Sequence, residues 1–167
     1  GELVEINPDI IKRMYEEGHY LANHGYSHTY SKIYSSPQSV LDEYNECNDK
    51  VKNAIEVPDY NSHLFRFPGG LAGGKYAEIK KEAKELLLQN NIVNVDWNAL
   101  TGDAETNNLS LEFEMTRLTE TMGSKNSLVI LMHDAAAKSV TADALPQIIA
   151  KLKEEGYEFK NFYDIIK

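Results

Sequence analysis

Several protein classes are disfavoured by what this sequence of 167 residues has little of. Its single cysteine, Cys47, cannot form an internal disulfide. No apolar run approaches the ~20 residues of a membrane-spanning helix, and no basic segment followed by a hydrophobic one stands at the start. Basic residues are also scarce, because 17 Lys and Arg face 26 Asp and Glu and leave a net charge of -9. That charge opposes nonspecific attraction to nucleic acid or to an anionic membrane surface.

Hydrophobic residues make up 42% of the chain, which is enough for one sizeable core, and we expect a single domain over residues 1–167. Cys47 lies at helical spacing among apolar residues and is predicted to belong to that core. Predicted helices and strands alternate, which favours an α/β domain with a mostly parallel sheet or barrel. The periodicity predicts helices over 8–17, 36–57, 76–90, 109–122 and 141–155, and strands over 19–22, 64–67, 92–97, 127–133 and 157–159.

Unusual polar residues follow the predicted strands, and the carboxyl ends of strands are where such folds bind ligands. His24 and His28 stand four residues apart on a turn, so both imidazoles can reach one divalent cation. A pair of solvated loop histidines explains the same spacing. His133 leaves the most apolar strand of the sequence, a position suited to general acid or base chemistry near neutral pH.

Two further strand ends carry candidate residues. Arg66 stands in an apolar strand just before Pro68 and Gly69, where a guanidinium needs a carboxylate partner. A structural ion pair explains Arg66 as well as a catalytic role does. Trp97 is the only tryptophan and precedes Asp103, although a lone tryptophan most often belongs to a core.

Taken in order, these segments resemble the motifs of the polysaccharide deacetylases of carbohydrate esterase family four. The resemblance covers nearly the whole chain and implies a distorted (β/α) barrel. It rests on His24-Gly25-Tyr26-Ser27-His28, Arg66-Phe67-Pro68-Gly69, Trp97 with Asp103, and Leu131-Met132-His133. Gly25 stands where the family usually has Ser or Thr, and Gly69 stands where an aromatic residue is more common.

The resemblance implies a metal-dependent hydrolase that removes N-acetyl groups from a polysaccharide such as peptidoglycan or a chitin-like polymer. The implied cofactor is a divalent metal, with zinc first, although cobalt, nickel and iron also suit imidazole ligands. The implied roles are metal ligands for His24 and His28, general acid for His133, and orientation of that acid for Asp103. Arg66 would orient the catalytic base, the Gly69 N–H would stabilise the oxyanion, and Trp97 and Leu131 would line the acetyl pocket.

The family's first motif, a Thr-Phe-Asp-Asp-Gly-like stretch, is absent from this sequence, which begins at Gly1 without a methionine. That motif carries the third metal ligand, an Asp, and the catalytic base. We therefore expect a piece of a longer protein, with a barrel incomplete at its N-terminus and an open sheet edge through which it dimerises. By analogy with the family, we also expect it to act outside the cytoplasm.

Two other readings of the sequence remain open. In the first, the chain is a non-catalytic carbohydrate-binding remnant that keeps the groove of the family but not its base. In the second, it is an unrelated α/β domain in which the histidines and Arg66 are structural.

Overall fold

The computed structural model of the chain describes residues 1–166 and has an α/β fold rich in helix. These residues divide into two compact units. The first unit contains residues 1–96 and the C-terminal segment that begins at Asn161, and the second contains residues 97–160. The prediction of one domain over the whole chain stays a prediction. No helix of the described residues has the length and apolar character of a membrane span.

Two of the first unit's helices begin where the sequence predicts. Pro8 opens one of them, and Ser36 caps another by accepting a hydrogen bond from the Ser39 N–H at 3.1 Å. The helices are α1 (Glu2–Ile6), α2 (Pro8–Glu16), α3 (Tyr30–Ile33), α4 (Pro37–Ile55) and α5 (Ala77–Gln89), and a 3₁₀ turn covers Phe162–Asp164.

Strands β1 (Leu64–Phe65) and β2 (Val93–Asn94) of this unit pair in parallel, with Leu64 opposite Val93. Both side chains of β1 are buried, and Phe65 packs in an aromatic core with Tyr34 and Tyr44. Cys47 is buried on α4, as its helical spacing predicts. This core includes Phe65 and Phe67, the two residues that flank Arg66.

The second unit also has one pair of parallel strands, β3 (Ala99–Leu100) and β4 (Ile130–Leu131). Its helices are α6 (Leu111–Met122) and α7 (Ser139–Glu154). Their buried faces meet over β3 through Leu118, Met122, Ala144, Ile148 and Leu152. Ser110 caps α6 by accepting a hydrogen bond from the Phe113 N–H at 3.2 Å.

Strands differ from the sequence prediction more than helices do. No strand forms over 19–22 or over 157–159. Asn23, just after the first of these segments, makes a single bridge to Phe65. The predicted strand over 92–97 is replaced by β2 and, beyond Trp97, by β3. A short apolar segment becomes a strand only where a neighbouring strand pairs with its backbone, and this partner cannot be read from local sequence.

The predicted strand over 127–133 forms only at β4, where Ile130 and Leu131 are half-buried. Leu88 is exposed at the end of α5. Dimerisation through an open sheet edge stays a prediction.

Candidate functional site

The loop from His24 to His28 begins at the bridge between Asn23 and β1. His24 Nδ1 lies 2.6 Å from the carbonyl oxygen of Arg66, which can only accept, so this nitrogen carries the proton and Nε2 keeps its lone pair. The rings of His24 and His28 have their centroids 5.2 Å apart. The His24 side chain reaches solvent, but partial desolvation of its ring still lowers its pKa. The lowered pKa favours the neutral ring that a metal ligand needs.

His28 has a φ of 52°, a backbone conformation that residues other than glycine rarely adopt. Such conformations concentrate at functional sites, where the surrounding contacts hold them in place. The structure thus brings the two predicted ligands to one loop and offers two imidazoles that fit a divalent metal. Within residues 1–166, no group of three His, Cys, Asp or Glu side chains could hold a metal ion.

Two polar side chains that the sequence analysis missed hold this loop from behind. Asn23 is 3% exposed, accepts a hydrogen bond from the Gly25 N–H at 2.9 Å and donates one to the Tyr44 carbonyl at 2.9 Å. Glu43, on α4, accepts the Ser27 N–H at 2.7 Å and the N–H of the preceding residue at 2.8 Å. Asn23 and Glu43 therefore fix the backbone on which both histidines stand.

Arg66 is half-buried at the end of β1, and its Nε donates to the Val95 carbonyl at 3.1 Å. Burial lowers the pKa of Arg66, and the Asp96 carboxylate opposes that shift. Asp96 therefore acts on this arginine through its charge, and a direct ion pair between the two stays a prediction. Its position beside the only tryptophan of the sequence could have drawn attention to it.

Gly69 stands at the exposed tip of the next loop with a φ of 75°. A Cβ at this position would lie 2.5 Å from the hydroxyl oxygen of Tyr30, so a side chain would meet both strain and a close contact. No other described residue accepts a hydrogen bond from the Gly69 N–H. This donor is therefore available to a ligand.

In the second unit, Asp103 holds His133. Asp103 is 2% exposed, and its Oδ2 accepts a hydrogen bond from the His133 backbone N–H at 2.6 Å. Its Oδ1 lies 2.9 Å from His133 Nδ1, and the His133 side chain is 43% exposed. One carboxylate thus fixes both the backbone and the ring of His133 and leaves Nε2 for a reacting group.

Gly102 directly precedes Asp103 and is crowded by neighbouring side chains, and the sequence analysis did not identify it. Its φ is 72°, and an added Cβ would lie 2.9 to 3.0 Å from side-chain atoms of Glu105, Phe113 and Arg117. Trp97 and Leu131 are both half-buried, and their role in an acetyl pocket stays a prediction. The expectation that the residues of the two units serve one site also stays a prediction.

Comparison with known proteins now adds to this geometry. The family model described as polysaccharide deacetylase matches residues 1–89, more than half of the chain. The chain belongs to the polysaccharide deacetylase family. The chain is 29% identical to a peptidoglycan-N-acetylglucosamine deacetylase of Bacillus cereus over 98% of its residues. It spans 58% of the length of that relative.

Two solved structures resemble the chain closely. The catalytic domain of a peptidoglycan N-acetylglucosamine deacetylase from Eubacterium rectale matches with a TM-score of 0.83 and 28% identity, over 94% of this chain and 71% of that one. A CE4 esterase of Streptococcus mutans matches with a TM-score of 0.82 and 29% identity, over 93% of this chain and 68% of that one. The α/β fold is therefore that of the family's catalytic domains.

Proposed function

We propose that the protein containing this chain hydrolyses N-acetyl groups on a cell-wall polysaccharide with the help of a divalent metal. The observation that carries the proposal is the hydrogen bond from His24 Nδ1 to the Arg66 carbonyl. It leaves His24 Nε2 available beside His28, which is the arrangement of a metal-binding histidine with its supporting acceptor.

His24 and His28 would hold the metal, zinc first, together with an aspartate supplied by the first motif of the family. When bound, the metal polarises the acetamide carbonyl and lowers the pKa of the attacking water. The base that takes the proton of that water would come from the same motif, and Arg66 would orient it.

The remaining steps would use this chain's own groups. The Gly69 N–H would donate a hydrogen bond to the carbonyl oxygen as negative charge develops on it. His133 would donate a proton from Nε2 to the leaving nitrogen as the carbon–nitrogen bond breaks, because an amine leaves far more easily than its anion. Asp103 would keep the ring in the orientation for this transfer, and Trp97 and Leu131 would line the pocket for the acetyl methyl.

The proposal extends to the substrate of the protein, its location in the cell and its complete fold. Peptidoglycan is the first substrate to test, because the similar proteins named above are peptidoglycan N-acetylglucosamine deacetylases. Such a substrate places the protein outside the cytoplasm. A strand from an upstream segment would complete a distorted (β/α) barrel, and it would pair with segments such as 19–22 that are not strands here.

The test uses the full-length protein loaded with zinc. We expect about one metal per chain by elemental analysis and release of acetate from N-acetylglucosamine oligomers or peptidoglycan. His24→Ala should lose the metal, and His133→Ala should keep it but lose activity, whereas the exposed His19→Ala should behave like the parent. Metal-loaded protein that releases no acetate contradicts the proposal. If that protein still binds the oligomers, it is a non-catalytic carbohydrate-binding protein of the same fold.

A further inference from the structure

A buried lysine holds the loop that carries Gly69. Lys80, on α5, is 4% exposed, which is rare for an ammonium group. Its Nζ donates to the Gly70 carbonyl at 2.7 Å and lies 5.1 Å from the ring centroid of Tyr34. Burial lowers the pKa of Lys80, and the Asp96 carboxylate opposes that shift. These contacts offset part of the cost of burying the amine, and they direct it at the carbonyl of the residue that follows Gly69.

Two other side chains hold the same loop. The Tyr34 hydroxyl, on a residue that is 1% exposed, donates to the Pro68 carbonyl at 2.7 Å. Asp96 Oδ2 accepts the Leu71 N–H at 3.0 Å. Backbone groups before and after Gly69 are thus fixed by side chains that come from three separate segments of the first unit.

The Gly69 N–H is the contrast to these restrained groups. Gly69 is exposed, and its N–H donates to no other residue of 1–166. The carbonyls of Pro68 and Gly70, on either side of it, both accept hydrogen bonds. A donor for a developing oxyanion is effective when its direction is set before the reaction, because no energy is then spent on reorienting it. The three contacts supply that restraint.

We propose that Lys80, Tyr34 and Asp96 are positioning residues that hold the Gly69 N–H in place for oxyanion stabilisation. This inference rests on the proposed function, and it adds residues that lie behind the site and touch no substrate. A purely structural role would lower the amount of folded protein. A positioning role lowers kcat per folded molecule and leaves KM and metal content unchanged.

The test compares Lys80→Met with Lys84→Met, an exposed lysine one turn further along α5, in the full-length zinc-loaded protein. Methionine keeps most of the side-chain volume and removes the donor. We expect Lys80→Met to lower kcat by about tenfold or more, because a misplaced donor loses much of its effect. KM should stay within about twofold and zinc content should not change.

Tyr34→Phe provides a second variant that keeps the packed ring and removes only the hydroxyl, in case Lys80→Met does not fold. Its kcat should also fall, because the lost hydroxyl bonds the Pro68 carbonyl, which belongs to the same peptide group as the Gly69 N–H. If Lys80→Met and Tyr34→Phe both retain the kcat of Lys84→Met, the inference is overturned.

A second readout separates this inference from the proposed function. In the full-length protein labelled with ¹⁵N-glycine, the Gly69 amide signal should shift or broaden in Lys80→Met and stay in place in Lys84→Met. A parent protein without deacetylase activity would sink the proposed function, and this signal would still decide whether Lys80 restrains the Gly69 N–H. An unchanged Gly69 signal in Lys80→Met contradicts it.

Discussion

The candidate residues of the two units are held in different ways. In the first unit, the histidine loop and the Gly69 loop are restrained by five side chains, Asn23, Tyr34, Glu43, Lys80 and Asp96. In the second unit, Asp103 alone provides both contacts to His133. We therefore expect a single substitution among the five side chains of the first unit to reduce function only in part. Substitution of Asp103 in the second unit should remove most of it.

The two designs suit different tasks. The first unit must aim backbone groups and two rings on loops with positive φ angles at Gly25, His28 and Gly69, which takes several anchors. The second unit must aim one ring, and a carboxylate with two oxygens can hold both its Nδ1 and its backbone.

The largest effect is expected from Asp103→Asn in the full-length protein. The amide keeps the size of the carboxylate but presents an N–H group to one of the two His133 donors, so the ring loses its fixed orientation. We expect kcat to fall by a factor on the order of 10² to 10⁴, measured as acetate release. Asp143→Asn, at an exposed position on α7, is the control. Equal activity of the two variants would remove Asp103 from the mechanism.

A smaller effect is expected from Asn23→Ala, because Glu43 still holds the histidine loop. The variant frees the Gly25 N–H and the Tyr44 carbonyl, and His24 and His28 lose part of their alignment. We expect zinc affinity to fall by about 10 to 100-fold in competition with a chelator. Asn45→Ala, exposed on α4, should keep the parent affinity. An unchanged affinity in Asn23→Ala would mean that Asn23 does not support the ligands.

The glycines of the two units also differ. Gly102→Ala should destabilise the protein by about 1 to 3 kcal/mol in urea unfolding, because its φ is positive and three side chains crowd the added methyl. Gly69→Ala meets only the end of the exposed Tyr30 side chain, which can move away. Gly73, with a φ of 71° close to that of Gly102 and no atom within 4 Å of an added Cβ, provides a control for the positive φ without crowding. Equal losses at Gly102 and Gly73 would contradict the crowding at Gly102.

The smallest effect is expected from labelling Cys47 in the unsubstituted protein, where the contacts of both units stay intact. Burial raises the pKa of this thiol and shields it in the first unit. We expect a thiol reagent at pH 8 to label Cys47 slowly in the native protein and rapidly in urea. Rapid native labelling would show that the first unit opens easily, against the restraint inferred from its hydrogen bonds.

The sequence predicted the helices better than the strands for a physical reason. The starts of α2 and α4 depend on Pro8 and on Ser36 with Pro37, which act within one turn. The strand predicted over 19–22 depends on a partner elsewhere in the chain, and it is reduced to the bridge at Asn23. The short helices α1 and α3 were missed because neither has room for a periodic pattern.

Sequence by itself determined the family and named the candidate site residues, because His24, His28, Arg66, Gly69 and His133 stand in the order of the family's motifs. Tertiary structure alone decided what holds them. Lys80 stands three and seven residues before the buried Ala83 and Leu87, so helical spacing alone places it on the inner face of α5. Only the tertiary structure decides that its ammonium group contacts the Gly70 carbonyl and the Tyr34 ring.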